Sequence, residues 1–155
     1  MTEYNSKQAY VSRPPYQLYM SFVDMRNFIQ FLPEDKKQGI EADYDHISAT
    51  VQGFRIGVLV HERVPYSRIS VVDDGTAPFA FKVDLHFDAG THPGETLFWI
   101  GVEADLNFMM KMMLGNKIQE GIDKVVDGLA AVSEGRMPEG MDPSMFPEGF
   151  DPRGL

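Results

Sequence analysis

Ten consecutive residues in the middle of the chain alternate without a fault. Phe79, Phe81, Val83, Leu85 and Phe87 are aromatic or aliphatic, and between them stand Ala80, Lys82, Asp84, His86 and Asp88. A period of two puts the first set on one face of a strand and the second on the other. One dry face and one wet face mark an antiparallel sheet with its core on a single side. Something must lie on the dry face, and the chain supplies it late. Leu114, Ile118, Ile122, Val125, Leu129 and Val132 recur at the spacing of one face of an α-helix. A long helix laid across a curved antiparallel sheet is the architecture expected. Gly121 and Gly128 interrupt this helix at about 1 kcal/mol each relative to Ala. Burying each apolar side chain recovers roughly 1.5–3 kcal/mol, so packing outweighs propensity. The two glycines mark either a close approach or room for a ligand, or they are tolerated imperfections.

The other segments fill in the order of elements. Residues 6–12 alternate weakly, with Ala9 and Val11 on one side, and read as a first strand that Pro14-Pro15 ends. Pro15 suits the first turn of a helix, where its missing N–H is not needed. Tyr16, Tyr19, Met20 and Val23 follow at i, i+3, i+4 and i+7 as an apolar stripe. Phe28, Ile29, Phe31 and Leu32 suggest a second short helical turn before Pro33, and residues 34–39 a polar loop. Strands are expected at residues 40–42 and around Ile47, Ala49 and Val51, with a turn at Gln52-Gly53.

From residue 54 to residue 64 the even positions Phe54, Ile56, Val58, Val60 and Glu62 share the dry face, leaving His61 and Arg63 on the wet one. Residues 66–72 form another strand, and Asp73-Asp74-Gly75 is a turn signal. Residues 95–106 carry Phe98, Ile100, Val102, Ala104 and Leu106 inward, with Leu97, Trp99, Glu103 and Asp105 opposite. Four methionines between residues 107 and 113 lead into the long helix.

Composition excludes several functions. A net charge of -9 argues against a nucleic-acid groove or an anionic membrane surface. The chain has no Cys, so thiol chemistry and thiolate metal sites are ruled out. No apolar run approaches the ~20 residues that span a bilayer, and the first residues lack the basic start of a signal peptide, so a cytoplasmic protein without membrane insertion is expected.

Asp84, His86 and Asp88, with His92 nearby, are the residues of metal-binding type. They form a flat row on a wet face, with Lys82 as a local counter-ion, so no metal and no cofactor is expected. Glu62, read as inward, is the one weak candidate for acid–base work: an inward carboxylate either meets a donor, sits at the mouth of the fold, or has a raised pKa. No G-x-S-x-G and no glycine-rich phosphate loop occurs. Outward Trp99, with Leu97, is a candidate contact for a homodimer or for the tail of the chain.

That tail begins after residue 133. Met137-Pro138-Glu139-Gly140-Met141-Asp142-Pro143 recurs nine residues later as Phe146-Pro147-Glu148-Gly149-Phe150-Asp151-Pro152. Pro and Gly at this density exclude a regular helix or an inner strand. The expected organisation is one domain, residues 1–133, and a flexible tail, residues 134–155. In the alternative reading the spaced Met and Phe residues are anchors that dock on this protein or a partner.

The order strand, two short helices, five or six strands and long helix resembles the START/polyketide-cyclase superfamily (SRPBCC, related to the birch-pollen allergen fold), in particular bacterial members of unknown function. Ser12-Arg13-Pro14-Pro15, residues 24–33 from Asp24 to Pro33, and Glu103-Ala104-Asp105-Leu106-Asn107 carry the likeness, which spans residues 6–133. The resemblance implies an α+β helix-grip fold: a curved antiparallel sheet of about 6–7 strands closed over an apolar cavity by the C-terminal helix. Parity puts Phe54, Ile56, Val58, Val60, Phe79, Phe81, Val83, Leu85, Phe98, Ile100 and Val102 in that cavity's wall. Tyr16, Tyr19, Phe31, Met110, Leu114, Ile118 and Ile122 cover it. The implied function is binding of a hydrophobic small molecule, lipid-like or polycyclic. One alternative is an enzyme of cyclase, aromatase or hydrolase type, with Glu62, Tyr16 or Tyr19 moving protons. The other is a structural or interaction module with a filled core.

Overall fold

The computed structural model describes residues 1–31, 39–51 and 54–134. Leu32, the polar loop at residues 34–38, the Gln52-Gly53 turn and the repeat tail beyond Glu134 lie outside the described residues. Its elements are β1 (Thr2–Asn5), β2 (Ala9–Val11), α1 (Pro15–Phe22), a 3-10 turn (Met25–Phe31), β3 (Glu41–Ala42), β4 (His46–Val51), β5 (Phe54–Val64), β6 (Arg68–Asp73), β7 (Phe81–Ala89), β8 (Thr96–Ala104) and α2 (Phe108–Ser133). The eight strands form one sheet in the order β1-β8-β7-β6-β5-β4-β3, with β2 also on β8, and every pairing is antiparallel. This is the helix-grip α+β architecture.

The strand expected at residues 6–12 is confined to Ala9–Val11, and β1 precedes it at Thr2–Asn5, where no strand was read. Residues 6–8 leave the sheet between β1 and β2. Buried Ser6 bridges the gap: its amide donates to the Ile100 carbonyl and its Oγ accepts from the Ile100 amide, both at 2.8 Å. The detour ties the sheet to α2, because the Lys7 amide donates to Asp123 and its Nζ to Asp127.

α1 starts where the sequence places it. Pro15 forces Pro14 into extended backbone (ψ 152°), so the helix begins at Pro15. Its buried face is Leu18, Tyr19 and Phe22, continued by Met25. The stripe read from the sequence is therefore rotated, since Tyr16 is 60% and Met20 55% exposed. Aliphatic Leu18 and aromatic Phe22 fit the same spacing and join the core, Phe22 stacking on Phe87 and Phe98.

α2 begins at Asn107, whose Oδ1 accepts the Met110 amide at 2.9 Å, an N-cap bond. It packs on β2, β1 and β8. Its inner face runs Leu114, Ile118, Ile122, Val126 and Leu129 to Ser133. Val126 is fully buried, whereas Val125, expected on this face, is 55% exposed. Adjacent valines fit the pattern almost equally, and the phase of the helix on β2 chooses between them. A Cβ at Gly121 would stand in open space, while one at Gly115 would meet the Tyr4 hydroxyl at 3.1 Å.

Candidate functional site

The concave face of the sheet is the candidate site, and the register lays its side chains out in rows. One row runs Ile100, Leu85, Ile69 and then Arg63; the next runs Tyr4, Val102, Val83, Val71 and Val60. A third brings Phe81 beside Ala104, and Val58 pairs with Ile47. Alternation was a reliable guide on β7 and β8, where Phe81, Phe87, Phe98, Ile100 and Val102 are all buried. Ile69 and Val71 were missed, although the alternation of β6 carries the signal. Both face the core and are buried.

Burial across this face is uneven. On β8 the side chains Phe98, Ile100 and Val102 are buried, Phe98 with the Phe22 ring of α1 stacked on it. Farther across, Ile47, Ile56, Val58, Val60, Val83 and Leu85 pack against the core but are only partly buried. Met110, Ile118 and Ile122 on α2 are likewise half-covered. Leu114 and Phe79 are half-buried and line an apolar groove of about 240 Å³ where α2 begins. Tyr19 is buried, while Tyr16 faces solvent and takes no part in this wall. The side chains of Phe31 and Phe54 lie outside the described residues.

The polar rim departs from expectation on β5. Val60 pairs with Val71, but the next pair is Glu62 with Ser70, so His61 is an extra residue and the register slips. Such a β-bulge reverses parity beyond it. Glu62 is thereby turned to the outer face, exposed and ion-paired with Arg68. It is not an inward acid. Arg63, expected on the wet side, turns inward instead and sits at the end of the concavity. Its Nε and Nη2 donate to the Val23 carbonyl at 3.0 and 2.9 Å, Nη2 also to the Tyr44 carbonyl at 2.8 Å, and Nη1 to Asp45 at 2.6 Å. Its guanidinium lies 4.0 Å above the Tyr44 ring.

Arg63 thus fastens the end of α1 to the β3–β4 connection. Tyr19 lies near it, edge-on to Tyr66 and Phe87 at 5.5 and 6.0 Å. Burial pushes the Tyr19 phenol up, with Arg63 opposing, so it stays a hydrogen-bond donor at neutral pH. Tyr66 follows Pro65 at φ 63°, a backbone region unusual for an aromatic residue.

The outer face is held by local pairs. Asp84 accepts from the Ser70 hydroxyl, and Lys82 lies 4.0 Å from Asp84. The His86 ring stacks on Trp99 at 3.7 Å, and the Trp99 indole N–H donates to Asp88 at 2.9 Å. Desolvation in this stack lowers the His86 pKa, with Asp84 and Asp88 opposing. Glu103 and Asp105 are exposed, as their parity requires. Among the described residues no three His, Asp or Glu side chains converge on a point.

A second outer pair was not legible in the sequence. His46 Nε2 lies 2.7 Å from Asp74 Oδ2. The Asp74 carboxylate also accepts from the Thr76 amide and hydroxyl, and it fills the space above Gly57, where a Cβ would fall 1.8 Å from Oδ2. The bonds from His46 and then Thr76 hold the Asp74 carboxyl at about 2.

No family model and no curated relative matches the chain. Solved structures do. A START superfamily protein from Mycobacterium smegmatis superposes with TM-score 0.57 at 15% identity, covering 83% of this chain and 96% of that one. A protein from Rhizobium loti gives 0.63 at 12%, with 84% and 95% covered. The Aha1 dimer from Colwellia psychrerythraea gives 0.58 at 12%, with 84% and 97% covered. At this identity the likeness is one of fold. Among the described residues no helix is long and apolar enough to cross a membrane.

Proposed function

We propose that this chain, whose fold is of START/SRPBCC type, binds a hydrophobic small molecule between the concave sheet face and α2. The observation that carries the reading is the half-covered apolar wall. Ile56, Val58, Val60, Val83 and Leu85 face inward, yet unlike Phe98, Ile100 and Val102 they are only partly buried. Leaving apolar side chains partly covered forfeits about 25 cal/mol for each Å², which a bound apolar ligand recovers. The lining is aliphatic with Met, and its polar groups sit at one end around Tyr19 and Arg63. This suits a lipid-like or polycyclic molecule with a small polar tip. With Glu62 outside, the reading needs no acid or base.

The test is native mass spectrometry of the full chain, then organic extraction and identification of what is released, with a parallel Nile red titration. A discrete adduct or saturable one-to-one dye binding is expected, weakened at least tenfold by Val60→Trp, which fills the wall. A clean apo mass together with no saturable binding overturns the proposal. The Colwellia protein of like fold is described as a dimer. Light scattering tests the same assembly here, and a monomer mass retires it.

A further inference from the structure

The first two turns of α2 present the most exposed apolar surface among the described residues. Phe108, Met109, Met112 and Met113 are 78%, 69%, 70% and 65% exposed. Beside them runs the groove of about 240 Å³, walled by Pro78, Phe79, Met109, Met110, Met113 and Leu114, with Asn107 its one polar neighbour among the described residues. Farther along the helix the exposed described residues are Asn116, Lys117, Glu120, Gly121, Lys124, Val125 and Asp127, of which Val125 alone carries a large apolar side chain. An apolar patch so confined is a docking surface rather than scattered exposure. At its centre stands exposed Lys111, flanked on both sides by methionine pairs.

The chain itself carries a complementary segment. Phe146-Pro147-Glu148-Gly149-Phe150 places an acid between two aromatic anchors, the counterpart of Met-Met-Lys111-Met-Met. Length permits the return. α2 has 26 residues and is about 39 Å long. At about 3.3 Å per residue, Phe146 and Phe150 reach about 43 and 56 Å from Ser133, whereas Met137 and Met141 reach about 13 and 26 Å. Only the distal repeat spans back to the patch. A second copy is a poorer occupant, since each chain carries a net charge of -9. Trp99 is a poorer dock, since His86 already covers its ring.

We propose that the distal Phe146/Phe150 repeat folds back along α2 and docks, within the same chain, on the Met109/Met112/Met113 patch with Glu148 against Lys111. The chain has no cysteine, so Ser144→Cys gives a single site for a nitroxide label. In full-length protein with carbon-13 methionine methyls, the label broadens Met109, Met112 and Met113 and leaves buried Met25, held beside Tyr44, sharp. The broadening disappears in Phe146→Ser/Phe150→Ser, which alters only the tail. It is also absent when unlabelled carbon-13 protein is mixed with spin-labelled protein lacking the isotope. Sharp patch methyls in the singly labelled protein overturn the proposal. So does broadening in the mixed sample, which assigns the patch to a second copy, and so does broadening that survives the double substitution.

Discussion

Gly57 and Asp74 offer the sharpest test of the packing. Gly57 lies on the outer face of β5, opposite Ser48, and the Asp74 carboxylate occupies the volume its side chain would take. Gly57→Ala puts a methyl 1.8 Å from Oδ2 and 2.4 Å from the carboxyl carbon, so the carboxylate must leave. It then loses His46 and Thr76. Holding a carboxyl at about 2 instead of 3.8 corresponds to about 2.4 kcal/mol at 1.36 kcal/mol per pH unit. The His46 and Asp74 side chains are 29% and 12% exposed, and solvent screening of a pair at the surface brings the expected loss down to about 1–1.5 kcal/mol.

The sign fixes the pH window. The carboxyl is depressed in the folded state, so its contribution is complete above pH about 4 and is lost as pH falls through about 2. Urea unfolding should therefore show Gly57→Ala destabilised by about 1–1.5 kcal/mol at pH 7, with the deficit shrinking below pH 4. In an Asp74→Ala background the same substitution should be neutral or slightly stabilising, because Gly is a poor strand residue. Equal costs in both backgrounds would refute the steric account.

The bulge at His61 predicts opposite outcomes for neighbouring charges. Glu62→Gln should change stability by less than about 0.5 kcal/mol, as for other exposed pairs, while Arg63→Met should cost about 2–4 kcal/mol by stranding the Val23 and Tyr44 carbonyls and Asp45; thermal melts of the two decide, and the reverse order would remove the bulge. Gly121→Ala should stabilise by about 0.5–1 kcal/mol, since a Cβ there would meet nothing outside its own helix backbone within 4 Å, and a lowered urea midpoint would mean that this helix position is not open.

What the sequence determined by itself was the order of elements and the faces of those with a clean local period. Alternation placed Phe81, Phe87, Phe98, Ile100 and Val102 inward, and helical spacing placed Leu114, Ile118, Ile122 and Leu129 on the inner side of α2. Both are properties of a few consecutive residues, readable without knowing their neighbours. Tertiary structure decided the rest, since it depends on which residues stand opposite. The bulge that turns Glu62 out and Arg63 in exists only in the register of β5 on β6, and nothing within residues 54–64 announces it. Val126 is chosen over Val125 by the phase of α2 on β2, and the face of α1 that carries Phe22 over the one that carries Tyr16 and Met20 by the rings of Phe87 and Phe98. The Asp74 cradle at Gly57 joins residues separated in sequence that meet only when two strands pair. The partial covering of the β5 and β7 wall follows from where α2 lies on the sheet. A hydrophobic pattern says which side is dry, but not how completely another element covers it.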